Sequence, residues 1–91
     1  MNAIEFDETK RQDKLINRGL DMVRSTEVFD GATLTVSGDR HDYGEERMVT
    51  TGYLDQRMIV VVWTRREDAR RIISMRKANE REQNHYEPKL G

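Results

Sequence analysis

The chain has no cysteine among its 91 residues, which excludes a disulfide framework and a thiolate metal site and fits a reducing compartment. Its single proline, Pro88, lies in a polar tail. No linker divides the sequence, so one domain over residues 1–91 is expected. No apolar run approaches membrane-spanning length, and Met1-Asn2-Ala3-Ile4-Glu5 carries neither the basic nor the apolar region of a signal peptide, so the expected location is cytoplasmic. Aromatics are few: two Phe, one Trp and three Tyr, scattered rather than interleaved with arginine. A stacking platform for single strands is therefore not indicated. A glycine-rich phosphate loop, a helix-turn-helix and an activated Ser or Cys nucleophile pattern are also missing, which excludes nucleotide hydrolase and protease readings. His41 and His85 are the only histidines. Even with Asp39 and Asp42 beside His41 they make a poor metal site, and no metal or cofactor is expected.

Charge is abundant and nearly balanced. Charged residues make up 36% of the chain, the formal net charge is -1 and the mean hydropathy is -0.91, yet the apolar residues cluster in blocks, which argues for folding. The distribution matters more than the sum. Seven basic residues between Arg65 and Arg81 face only Glu67, Asp68 and Glu80. The cations are mostly arginine, whose planar fork matches phosphate oxygens. Composition by itself still favours a solvated, charge-balanced surface over a phosphate site.

The strongest local signal is Met58 to Trp63, an unbroken apolar run, β-branched at most positions, that reads as a central strand buried on both faces. Arg71 to Lys77 alternates, with Ile73 and Met75 on one face and Ile72, Ser74 and Arg76 on the other. So short a connection predicts an antiparallel hairpin. Ahead of it, Thr33 to Val36 and Glu46 to Tyr53 read as two further strands of a meander. Leu34 and Val36 should face inward, a long polar loop should run from Ser37 to Glu45, and a turn from Gly52 to Gln56. In the second of these strands Arg47, Val49 and Thr51 share a face. At the N-terminus Ile4 and Phe6 form an extended lead-in able to dock on the sheet. Asp7 suits the cap of a helix from Glu8 to Arg18, closed by Gly19, and Asp21 suits the cap of a second, about two-turn helix containing Met22, Val23, Thr26 and Phe29. Asn79 with Glu82 forms a capping-box pattern for a short final helix ending near Tyr86, before Pro88. That helix is polar nearly all round and needs a charged anchor, for which the preceding basic strand is the nearest candidate.

These residues together resemble the BrnT-type toxins, ribonuclease components of bacterial type II toxin–antitoxin pairs. The likeness runs from Ile4-Glu5-Phe6-Asp7-Glu8-Thr9-Lys10 through Gly19 and Glu27-Val28-Phe29-Asp30 to Gly44-Glu45-Glu46-Arg47 and Gly52. It continues through Val60-Val61-Val62-Trp63-Thr64 and Arg71-Ile72-Ile73-Ser74-Met75-Arg76-Lys77-Ala78 to Arg81-Glu82 and Tyr86. The resemblance implies an α+β, RelE-like fold: two N-terminal helices packed on a four-stranded antiparallel meander, with a short C-terminal helix. It implies RNA cleavage that inhibits translation and growth, and a BrnA-type ribbon-helix-helix antitoxin that neutralises the toxin and carries the contact with operator DNA. Asn17-Arg18 stands where the family usually has Lys-His, and Arg18 cannot shuttle protons near neutral pH as an imidazole does. Phe6 replaces a family Trp and keeps its packing, and Lys14 replaces an Asn.

The chemistry implied is metal-independent endoribonuclease action, in which the substrate 2′-hydroxyl attacks the adjacent phosphate. Such a reaction needs no protein nucleophile; it needs the phosphate held in line and its developing charge met by fixed cations. Arg47 and Arg76, both on strands, are the expected clamp, with Tyr86 as a stacking or proton-donating partner. Ser74 shares a face with Arg76 as an extra donor, and Lys10, Arg18, Arg71 and Lys77 complete the expected RNA-binding set. Arg71 falls on the wrong face of an ideal strand and joins the site only beside a bulge. Arg47 is as well explained by pairing with a carboxylate, and Tyr86 by capping the core with its ring. The alternative function is a non-catalytic module whose basic face binds nucleic acid or an acidic protein.

Overall fold

A computed structural model describes residues 3–42 and 45–90, without side-chain placement from 38 to 45. Its architecture is mixed α+β, with strands β1 (Ala3–Phe6), β2 (Leu34–Asp42), β3 (Glu45–Leu54), β4 (Arg57–Arg66) and β5 (Ala69–Lys77) and helices α1 (Glu8–Arg18), α2 (Ser25–Asp30) and α3 (Glu80–Leu90). The sheet has five strands, in the order β1-β5-β4-β3-β2. The expected four-stranded meander is present as β2 to β5, but the lead-in joins it as a fifth strand, parallel to β5, with Phe6 opposite Ile72. The sheet is mixed rather than purely antiparallel. A parallel edge is possible here because the connection from β1 to β5 spans most of the chain.

Local chemistry sets the helix ends. Asp7 accepts from the backbone N–H of Thr9 and Lys10 at 2.8 and 3.2 Å, opening α1. Gly19, at φ 67°, closes it in the left-handed conformation that only glycine enters without penalty. Asp21 caps the next segment through Val23 N–H. The expected second helix is split into a 3₁₀ turn (Met22–Arg24) and α2. Here the inward residues are Met22 and Val28, both fully buried; Phe29 packs on the edge of the core and Val23 is exposed.

Side chains leave β4 on alternate faces. Ile59, Val61 and Trp63 meet Leu20, Met22 and Val28 from the helical layer, with Leu54, Ile72 and Met75 from neighbouring strands. Trp63 anchors this core: its Nε1 donates to Thr50 Oγ1 at 2.8 Å, and Phe29 meets its ring edge-on at 5.8 Å. Gly52 lies in β3, not in a turn, and a Cβ there would stand 2.9 Å from both Val28 Cγ1 and Thr33 Cγ2, so its lack of a side chain lets α2 close on the sheet. On the opposite face Met58, Val60 and Ala78 form a smaller cluster under α3, joined by Val49, Tyr53, Tyr86 and Leu90.

Several expectations are corrected. The β3–β4 turn is only Asp55-Gln56, both at positive φ (52° and 67°), the pattern of a two-residue type I′ hairpin. The bidentate grip of Arg24 on Asp55 supports it, at 2.7 and 2.8 Å. Backbone placed in the long polar loop continues β2 to Asp42, with a register shift between Ser37 and His41; Tyr43 and Gly44 lie outside the described residues. Leu34 and Val36 fall on the α3 face, where Leu34 is half-buried and Val36 exposed. Helix α3 runs past Pro88 to Leu90, where Leu90 packs on the α3-side cluster and offsets the one ladder bond that the proline lacks.

Candidate active site

The decisive local feature is an irregularity in β5. Opposite β4, Ser74 pairs with Val62 and Ile72 with Trp63, so Ile73 is an extra residue and the register shifts there. Alternation resets across this bulge. Ile72 and Met75 both point into the main core, correcting the expected partition of Ile72 with Ser74 and Arg76. Arg71 thereby moves to the α3 face together with Ser74 and Arg76.

Across the sheet, Arg47 of β3 is opposite Thr64 of β4, and Thr64 is opposite Arg71 of β5. Neighbouring strands lie about 4.8 Å apart, so the two arginines flank Thr64 with Cα atoms roughly 10 Å apart, within reach of one phosphate group. Thr64 is buried and fixed, its hydroxyl donating to the Glu46 carbonyl at 3.0 Å. Arg47 and Arg71 are half-buried, and the Arg71 side chain has no hydrogen bond or ion pair among the described residues. The row ends on β1, where Glu5 is opposite Arg71. Reading the sequence missed Glu5, although the alternation of Ile4 and Phe6 toward the core already turns it to the other face.

Arg76 is differently engaged. Both its terminal nitrogens donate to the Glu82 carboxylate, at 2.7 and 2.8 Å, and these hydrogen bonds hold Glu82 below the usual carboxylate range and raise Arg76. Glu82 also accepts from Asn79 N–H at 2.9 Å while Asn79 Oδ1 accepts from Glu82 N–H at 2.8 Å, completing the expected capping box. The basic strand thus anchors the polar helix. Tyr86 packs half-buried on the cluster beneath α3, with His85 edge-on at 4.8 Å. His85 itself is exposed, and the side chain of His41 lies outside those described.

Arg47, Arg71, Ser74, Arg76 and Tyr86 therefore share the α3 face. Lys10 and Arg18 do not. Both are exposed on α1, which covers the other face, and Lys77 lines a cavity there with Arg18. Basic side chains on a rigid sheet, spaced to meet one anion and bordered by a carboxylate, suit phosphate binding and phosphoryl chemistry.

A profile for the ribonuclease toxin BrnT of type II toxin–antitoxin systems matches residues 6–82. The chain belongs to this family. It is thus a ribonuclease toxin of the type II class, for which the family implies an antitoxin partner and an RNA target. Curated proteins give no match. The matched segment takes in all of the α3-face row except Glu5 and ends at Glu82, the residue that fastens α3. Among the described residues no helix is long and apolar enough to cross a membrane.

Proposed function

We propose that this toxin cleaves RNA on the α3 face of its sheet without a metal ion, by attack of the substrate 2′-hydroxyl on the adjacent phosphate. The observation that carries the reading is the in-register row Arg47, Thr64, Arg71, which sets two arginines on either side of one buried threonine on the face that the main core leaves open. The arginine forks meet the charge that grows on the phosphate oxygens, and Ser74 adds a hydroxyl donor. Glu5, beside Arg71, takes the 2′-hydroxyl proton as its oxygen attacks the phosphorus; the bond from phosphorus to the 5′-oxygen breaks, leaving a 2′,3′-cyclic phosphate, and the departing 5′-oxygen takes a proton from water. Arg76 joins the phosphate only after Glu82 lets go, and Tyr86 offers its ring to a base beside the cut. Damage to cellular RNA then stops translation and growth, and a BrnA-type ribbon-helix-helix antitoxin relieves it and makes the contact with operator DNA.

The test is single-turnover cleavage of a defined RNA in EDTA, alongside induced expression in bacteria with and without the neighbouring antitoxin gene. Cleavage should persist in EDTA, and growth arrest should be lifted by the antitoxin. Cleavage abolished by EDTA and restored by a divalent ion sinks the metal-free mechanism. Stoichiometric, salt-sensitive binding without turnover sinks the enzyme and leaves a nucleic-acid-binding module.

A further inference from the structure

A second cationic site lies away from the catalytic row, and the structure assigns it to phosphate groups of the same RNA beyond the cut. The inference rests on the ribonuclease reading above. A cavity of about 610 Å³ opens between the end of α1 and the β3–β4 turn. Leu20, Leu54 and Ile59 give it a buried apolar floor, and Arg18, Arg57 and Lys77 stand at its rim.

Two carboxylates also line it, and each is already taken. Asp21 is held by Arg11 at 2.8 and 3.1 Å, and Asp55 by Arg24 at 2.7 and 2.8 Å; these bonds draw both acids below their ordinary range. Arg18, Arg57 and Lys77 have no side-chain hydrogen bond or ion pair among the described residues, Arg57 acting on Asp55 only through space. Of the carbonyls near the end of α1, which would repel an anion, those of Lys14 and Leu15 are covered by the N–H groups of Leu20 and Gly19, and Arg18 offsets the rest with its charge. What remains is three unspent cations over an apolar floor, in a space large enough for a nucleotide. Phosphate fits the rim, and ribose or base fits the floor.

Position favours RNA over an acidic protein segment. Arg57 and Lys77 also line a neighbouring cavity of about 450 Å³ with Tyr53, Met58, Ala78 and Glu87, on the side covered by α3. They therefore stand where the two faces meet, at the end of the sheet. Lys77 directly follows Arg76, so the strand that carries Arg71, Ser74 and Arg76 on the α3 face ends at the cavity that Arg57, Lys77 and Arg18 line. Arg57 lies seven steps along β4 from Thr64, roughly 23 Å. A dinucleotide cannot span that distance, and a longer strand can.

The experiment compares cleavage and binding of a long fluorescein-labelled single-stranded RNA with those of a dinucleotide, in wild type and in R18Q/R57Q/K77Q. The expected result is a loss of the preference for long RNA by about tenfold, in KM rather than kcat. The salt slope of long-RNA binding should fall by roughly two to three, about one per cation removed. The reversal R57E/K77E should deepen the loss, and circular dichroism checks that both variants fold. An unchanged preference and slope, in a wild type that cleaves, overturns this site and leaves the ribonuclease reading intact. A variant that keeps the RNA preference but escapes the antitoxin overturns it too, giving the cavity to a protein partner. A wild type that neither binds nor cleaves RNA removes both.

Discussion

The two faces of the sheet are built from the same strands and treated in opposite ways. Toward the helices, Ile59, Val61, Trp63, Ile72 and Met75 interlock with Met22 and Val28, and almost nothing there is wet. Toward α3, the apolar residues stop at Met58, Val60 and Ala78, and the rest of the surface carries Arg47, Arg71, Ser74 and Arg76 on half-buried strands. One face spends its alternation on stability. The other uses the rigidity so obtained to hold cations, of which Arg76 fastens α3 through Glu82. Substitutions on the two faces should therefore separate stability from activity.

The largest effect should come from the helix face. Trp63→Ala removes a buried ring, its contact with Phe29 and its bond to Thr50, and should cost about 3–5 kcal/mol of unfolding free energy in urea titrations. Val62→Ala, one residue away on the other face and half-buried, should cost about 1 kcal/mol or less. Equal losses would mean the faces do not differ as described.

The next largest effect belongs to the α3 face and shows in rate. Arg47→Ala and Arg71→Ala should each slow single-turnover RNA cleavage by about 10²–10³-fold, as loss of one preorganised donor does, while the stability of Arg71→Ala stays within about 0.5 kcal/mol. Lysine at either position should recover part of the rate, because it restores charge without the fork. Glu5→Gln should slow cleavage by about 10²–10⁴-fold, as loss of a general base does. A folded Arg71→Ala enzyme at full rate would remove the row from the mechanism.

How much of this could be read beforehand differs between elements. The caps at Asp7, Asp21 and Asn79, the central strand and the hairpin after it were legible because each rests on neighbours in sequence. The bulge at Ile73 was not: an Ile-Ile pair fits either phase of a strand, and only packing of Ile72 and Met75 into one core decides it. For the same reason Arg71 was ranked below Arg76, and the structure reverses their availability. β1 was legible as a strand that docks, but its parallel pairing depends on a partner more than sixty residues away. The polar stretch after Ser37 read as loop because β2 is an edge strand, where charge and glycine are common and leave no apolar pattern.

A smaller effect separates the faces by pH. Glu82 is depressed by Arg76, so its contribution to α3 docking is full above the ordinary carboxylate pKa and is lost as pH falls through its lower folded value. Asp21, Asp55 and Glu27 are depressed by Arg11 and Arg24, and they loosen the helical layer in the same window. Glu82→Gln should remove the share that belongs to α3, about 1 kcal/mol near neutrality, visible as faster amide exchange in α3 alone. Uniform exchange across the chain would count against a separately held helix. Smallest of all, His85→Ala should leave both rate and stability within error, its ring being exposed and meeting Tyr86 edge-on and Lys89 Nζ at 3.3 Å.

The bond between Glu82 and Arg76 has a further meaning for what the toxin can bind. The carboxylate is a tethered competitor: fixed a few residues from the arginine it occupies, it acts at an effective concentration of the order of millimolar or above. A free phosphate or mononucleotide meeting that arginine alone must exceed this concentration to displace it. On the proposed mechanism, an RNA strand gripped by Arg47 and Arg71 presents its next phosphate at a comparable effective concentration and exchanges places with Glu82. On the proposed mechanism, one internal ion pair thus filters polymer from monomer, sparing the toxin inhibition by the cell's nucleotide pool.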